Sequence, residues 1–236
     1  MTRVASVFRL ELTLQVRQKF LHAGVFSGLI WLAVLLPLPQ RLRPVFEPYI
    51  LLGDIAIIGF FFIGGSVFFE KQERTVGAII STPLRFWEYL TPKLALLTGL
   101  SLSVAVVVVS IAHGLDYRPV PMIVGVILGT VLMLLVGFIT CLPFSSVGDW
   151  VIFGTVPLAV MTGLPVLSLS GVWANPVLYA IPTLGPLLLL GDAFGQVILT
   201  PWQAVYAAGY PLVSIAAMCT AAKLFFGKYV VARSGT

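Results

Sequence analysis

Charge is scarce in this sequence: 14 basic and nine acidic side chains among 236 residues leave only 10% charged, against 59% AVILMFWYC. That shortage, with a mean hydropathy of +1.05, excludes a water-soluble globular domain. Histidine and cysteine are almost missing, with two of each. Cys141 and Cys219 both fall inside apolar runs, where they read as small buried hydrophobes and not as a disulfide, a zinc site or a nucleophile. His22 and His113 stand too far apart for a metal pair or a proton relay. A phosphate-binding loop is also absent, since Gly227-Lys228, the one Gly-Lys step, is followed by Tyr229. The net charge of +5 is spread along the chain instead of forming one basic face, so the sequence reads as no nucleic-acid binder.

What the sequence has is long apolar runs. They cover about residues 21–38, 49–69, 93–113, 120–142, 150–170 and 203–226, each long enough to cross a hydrocarbon core that takes about 20 helical residues. Six such spans would use about half of the chain and leave little for a soluble domain. Residues 1–236 are therefore read as a single all-α integral membrane domain with six transmembrane helices. If the N-terminus is cytoplasmic, the inner segments hold eleven of the 14 Lys and Arg, and the outer ones hold Arg41, Arg43 and Arg118. This asymmetry places both termini in the cytoplasm of a multi-pass plasma-membrane protein.

Residues 1–20 carry five charges before the first apolar run, too many for the basic region of a cleaved signal peptide, so the segment is expected to be retained. Arg3, Ser6, Arg9, Thr13 and Arg17 recur at helical spacing, with Val4, Val7, Phe8, Leu12 and Val16 on neighbouring faces. The pattern predicts an amphipathic interfacial helix. Glu11, Gln15 and Gln18 draw a polar stripe through the apolar side, which predicts that part of it meets protein instead of lipid. Residues 171–202 are apolar but interrupted by Pro176, Pro182, Pro186, Pro201 and several glycines. They predict short outer helices dipping back into the membrane, since a continuous helix is excluded.

The segment from Glu70 to Lys93 is the longest and most charged inner loop. Thr82-Pro83 looks like a helix cap followed by proline in the first turn, and Thr91-Pro92 repeats the device before the third span. The expectation is a hairpin of two short helices over residues 70–92, a surface suited to docking a cytoplasmic partner with Trp87 and Tyr89 as anchors. Within the spans, Asp54 lies well inside the second, where an ionisable group needs a reason. It either lines the cargo path or pairs with Arg41 or Arg43. Asp149 and Trp150 read as an interface anchor, Asp192 as a helix cap or exit-lining group, and Gly64-Gly65-Ser66 as a close-packing patch.

These residues resemble the type-2 ABC exporter permeases, whose hallmark is a glutamate closing the second span, a charged helix, Thr-Pro, and a second short helix ending in Lys. The match falls on Glu70, Lys71, Glu73, Thr75, Thr82, Pro83, Glu88 and Lys93, with Arg74 standing where many members have glycine. Within that family the chain is most similar to the permeases of fluoroquinolone export, across Phe60 to Tyr89 and Asn175 to Leu190.

The resemblance implies that ATP and Mg are bound by separate cytoplasmic ATPase subunits and none by this chain, which is then not itself an enzyme. It also implies a second permease, identical or related. The coupling contact would fall on Glu70, Glu73, Arg74, Thr82, Pro83 and Trp87, and the cargo would be a hydrophobic or amphipathic small molecule. A lipid or polysaccharide precursor is the alternative cargo. An intramembrane enzyme is a further alternative, for which the sequence offers no nucleophile, base or metal cluster. A pure membrane scaffold would not require the hairpin.

Overall fold

The computed structural model describes residues 3–73, 86–114 and 116–231. It is all-helical, with no strand among the described residues. Segment 74–85, with Arg74, Thr82, Pro83 and most of the expected hairpin, lies outside them.

Helix α1, Arg3–Arg17, is the amphipathic N-terminal helix. It ends where Lys19 takes a left-handed backbone (φ 62°), and the chain re-enters a helix at 61° to the first. For a residue with a Cβ that conformation costs about 1–2 kcal/mol. Helix α2, Phe20–Leu35, is apolar on every side and buries one stripe, Phe20, Gly24, Ser27, Gly28 and Leu35. Its 16 residues rise about 24 Å, short of a hydrocarbon core of about 30 Å. Five other helices are long and apolar enough to cross a membrane, so the count is five, or six with the bent pair.

The second span is longer than its apolar run. Helix α3, Arg43–Gln72, starts with Pro44 in its first turn, six residues before the apolar run that begins at about 49. It contains a π-helical stretch over Ile57–Phe62. Helix α4, Phe86–Ala112, runs without interruption through Thr91 and Pro92. The break expected there does not exist; Pro92 falls in the second turn, where the chain is already helical. Helix α5, Pro119–Cys141, forms the centre of the bundle with α3. Their backbones approach closely because Gly137 faces the Phe60 carbonyl, where an added Cβ would lie 2.6 Å from that oxygen.

Helix α6, Val147–Leu169, is capped by Ser146, whose hydroxyl accepts the Gly148 N–H at 3.2 Å. The broken segment then holds a 3-10 turn, Pro176–Ala180, and a ten-residue helix α7, Leu184–Ala193, almost wholly buried. Gly125 and Gly185 let α7 sit against α5 and against helix α8, Pro201–Phe226. Most side chains of α6 and α8 face outward and are apolar, as expected of surfaces that meet lipid or another helix.

Trp150 is not an interface anchor. It is buried to 1% exposure, stacks on Phe60 at 5.1 Å, and donates its indole N–H to Thr140 at 3.1 Å. Gly64 makes room for it, since a Cβ there would lie 2.2 Å from the ring. The close-packing patch therefore receives an aromatic ring at Gly64, while Ser66 receives a hydrogen bond from Lys93 at 3.1 Å.

Candidate functional site

Among the described residues, the buried ionisable groups of this apolar bundle gather in two places, one at the end that carries α1 and one towards the other end. At the α1 end, Lys93 stands one residue after Pro92, near the start of the described part of α4, with no exposure at all. Its ammonium has three N–H donors. They meet the Glu11 carboxylate at 2.9 and 3.0 Å, the Ser66 hydroxyl at 3.1 Å, and the Glu70 carboxylate. The other Glu70 oxygen accepts the Tyr89 hydroxyl at 2.7 Å. The cluster thus joins α1, the last turns of α3 and the first turns of α4, which are the two ends flanking segment 74–85.

Burying three ionised groups is tolerable only when each is paired and hydrogen-bonded, and here every one is. The stripe of Glu11 and Gln15 on α1 does meet protein, since both are buried. Tyr89 is no free docking anchor, because its hydroxyl is spent on Glu70 and its ring is in the core.

Around the cluster, Lys71 donates to the carbonyls of Cys141, Leu142 and Phe144 at 3.0, 3.1 and 2.7 Å. A cation at the carbonyl end of α5 is stabilised by both hydrogen bonding and the helix dipole. Glu73 lies on the surface with Arg17 at 3.5 Å, and Trp87 is exposed to 41%. Of the six residues expected to form the coupling contact, Glu70 is therefore inside the bundle, Glu73 and Trp87 are at its surface, and Arg74, Thr82 and Pro83 are not described.

Further along α3, Asp54 is buried to 2% exposure. One carboxylate oxygen accepts from Ser27 at 2.7 Å and from the Trp31 indole at 3.1 Å, both on α2. The other oxygen has no hydrogen-bond partner among the described residues. Arg43 does not pair with it; its guanidinium donates to the carbonyls of Ala112, Leu36 and Leu38. Two turns from Asp54 on the same face, Glu47 is fully buried with His113 Nδ1 at 2.9 Å. The Asp192 carboxylate makes no helix-capping bond among the described residues and instead meets Arg118 at 2.9 Å.

The sequence reading missed Glu47 and dismissed His113. The available signal was the seven-residue interval between Glu47 and Asp54, which puts two carboxylates on one face of a helix.

An all-helical chain with five or six apolar spans and a paired ionic cluster inside it is a multi-pass membrane protein. Residues 2–234 match the fluoroquinolones export permease protein family, and the chain belongs to that family. It is 67% identical to the fluoroquinolones export permease proteins of two Mycobacterium tuberculosis strains, CDC 1551 and H37Rv, over 235 residues that cover 100% of this chain and 99% of each relative. The class is a membrane export permease.

Proposed function

We propose that this chain is the transmembrane subunit of an ATP-driven ABC exporter that moves amphipathic or hydrophobic compounds, fluoroquinolone-type drugs among them, out of the cell. Both termini lie in the cytoplasm, and Mg and ATP are bound on separate ATPase subunits. Two permeases, identical or related, enclose the path, because a bundle of this size is too thin to hold one alone.

The observation that carries the reading is the Glu11–Lys93–Glu70 cluster. It ties the N-terminal helix to both ends of the segment on which a cytoplasmic ATPase would push. A displacement of segment 74–85 would then be passed to α1, α3 and α4 together, since separating any member leaves a buried charge unpaired. Glu73 and Trp87 supply the surface on which the ATPase rests, with Arg74, Thr82 and Pro83 between them in sequence. Asp54, with one oxygen unpartnered among the described residues, is the group for a cationic amine on the cargo. The drug assignment is supported by the names of the two relatives.

The test is to express the chain in a fluoroquinolone-sensitive mycobacterium with and without its cognate ATPase, and to measure drug accumulation and co-purifying subunits. Lower accumulation only with both proteins, and recovery of the ATPase with the permease, is the expected result. Lower accumulation with no ATPase bound overturns the ABC reading, and ATPase binding with unchanged accumulation overturns the cargo.

A further inference from the structure

A groove of about 640 Å³ opens on the side of the bundle between α1, α2 and α4. Its walls are apolar: Leu21 to Leu32 on α2, Ala95 to Val108 on α4, and Phe8 and Leu12 on α1. Along α4 it extends over 14 residues, Ala95 to Val108, or about 20 Å at the helical rise. One leaflet contributes about 15 Å of hydrocarbon, half of the core, so the groove is long enough to take a tail that stands in a single leaflet. The groove is apolar along its length, as an acyl chain requires.

One polar side chain lines the groove from α1. Gln15 is buried to 2% exposure, and its Nε2 has no acceptor among the described residues. A buried amide N–H left unpaired costs about 1–3 kcal/mol, so an acceptor brought by a ligand is favourable there. Arg9, Arg17 and Lys19 are exposed on and just after α1, while Glu73 offsets one of them at 3.5 Å from Arg17. That surplus of positive charge suits an anionic headgroup.

We infer that this groove is a built site for an anionic phospholipid of the leaflet on the α1 side. One acyl chain lies between α2 and α4, and a glycerol-ester or phosphate oxygen accepts from Gln15. Such a lipid would fasten the amphipathic helix to the bilayer beside the ionic cluster.

Gly99 provides the probe, because nothing lies within 4 Å of a Cβ built there. Gly99→Phe places a ring in the groove from a position where the added Cβ meets nothing. The experiment reconstitutes the full chain in phosphatidylglycerol–phosphatidylethanolamine vesicles doped with phosphatidylglycerol that carries a diazirine midway along one chain. After irradiation, labels are mapped by mass spectrometry on residues 95–108 and, as a reference lipid-facing surface, on residues 151–160 of α6.

In the parent, labelling of 95–108 should exceed the α6 level at least fivefold. Gly99→Phe should bring it down to that level while leaving α6 labelling and thermal stability unchanged. Gln15→Leu should reduce it at least twofold with phosphatidylglycerol. Labelling of the groove at or below the α6 level in the parent, as occupation by another helix would give, overturns the inference. So does a Gly99→Phe variant that folds and labels like the parent.

Discussion

Lys93 and Glu11 lie 82 positions apart in sequence, yet the Lys93 ammonium sits 2.9 Å from a Glu11 oxygen with its side chain wholly shielded from solvent. The pair fastens the amphipathic helix to the start of α4, and Glu70 completes it from the end of α3. One ammonium between two carboxylates gives the three residues unequal weights.

Removing the cation should hurt most. Lys93→Met leaves two carboxylates facing each other in an apolar core, and breaking a buried pair in this way costs about 3–5 kcal/mol. Glu70→Gln leaves one oxygen where Tyr89 and Lys93 each use one, whereas Glu11→Gln leaves one cation with one anion and should be the mildest. Thermal unfolding in detergent should rank the variants Lys93→Met, Glu70→Gln, Glu11→Gln from least to most stable. Equal melting of Lys93→Met and the parent would show that the cluster is not held together in the membrane.

The membrane class, the longer spans and the interrupted segment 171–202 were legible because hydrophobic runs, prolines and the absence of charge are local properties of the chain. The buried side of α1 was legible too, as a polar stripe where lipid-facing residues would be apolar. What could not be read is which distant group answers each polar residue. Lys93 looked like a loop terminus and Tyr89 like an exposed anchor, because proximity of α1, α3 and α4 is a tertiary fact. Thr91-Pro92 misled for a different reason: a proline near the start of a helix can open it or merely sit in its second turn, and the same residues serve both.

The Trp150 site offers a test of core packing independent of function. Trp150→Ala removes a ring stacked on Phe60 and within 5.6 Å of Phe68, and a cavity of that kind costs about 3–5 kcal/mol. Gly64→Ala fails in the opposite way, by forcing a methyl group into the indole, at about 1–3 kcal/mol. Because the methyl and the ring contend for one space, Gly64→Ala should be far less damaging when Trp150 is already Ala. Additive losses in the double variant would mean that the two residues do not touch.

Asp54→Asn keeps the size of the side chain and an oxygen for Ser27 and Trp31, so assembly should be preserved. Only the charge is removed. If the carboxylate meets a cationic amine, efflux of cationic fluoroquinolone derivatives should fall several-fold and that of anionic analogues should hold. Parallel export of both by the variant and the parent would assign Asp54 to the packing of α2 against α3 alone.

Glu73 gives the sharpest separation of coupling from folding. Its one described ion contact, with Arg17 at 3.5 Å, is exposed on both sides, and such pairs contribute about 0–1 kcal/mol. Glu73→Lys should therefore leave membrane level and melting temperature close to the parent's. Docking of the ATPase is another matter, since truncating or reversing a charge desolvated at an interface costs about 2–5 kcal/mol. Arg74→Glu, one position on, should behave alike. The measurements are ATPase co-purification and drug efflux, made together on variants whose membrane levels match the parent. Loss of both readouts, or efflux lost with the ATPase still bound, places Glu73 at the coupling contact. Normal binding and normal efflux in both variants would remove this surface from the mechanism and leave the buried cluster without a driver at segment 74–85.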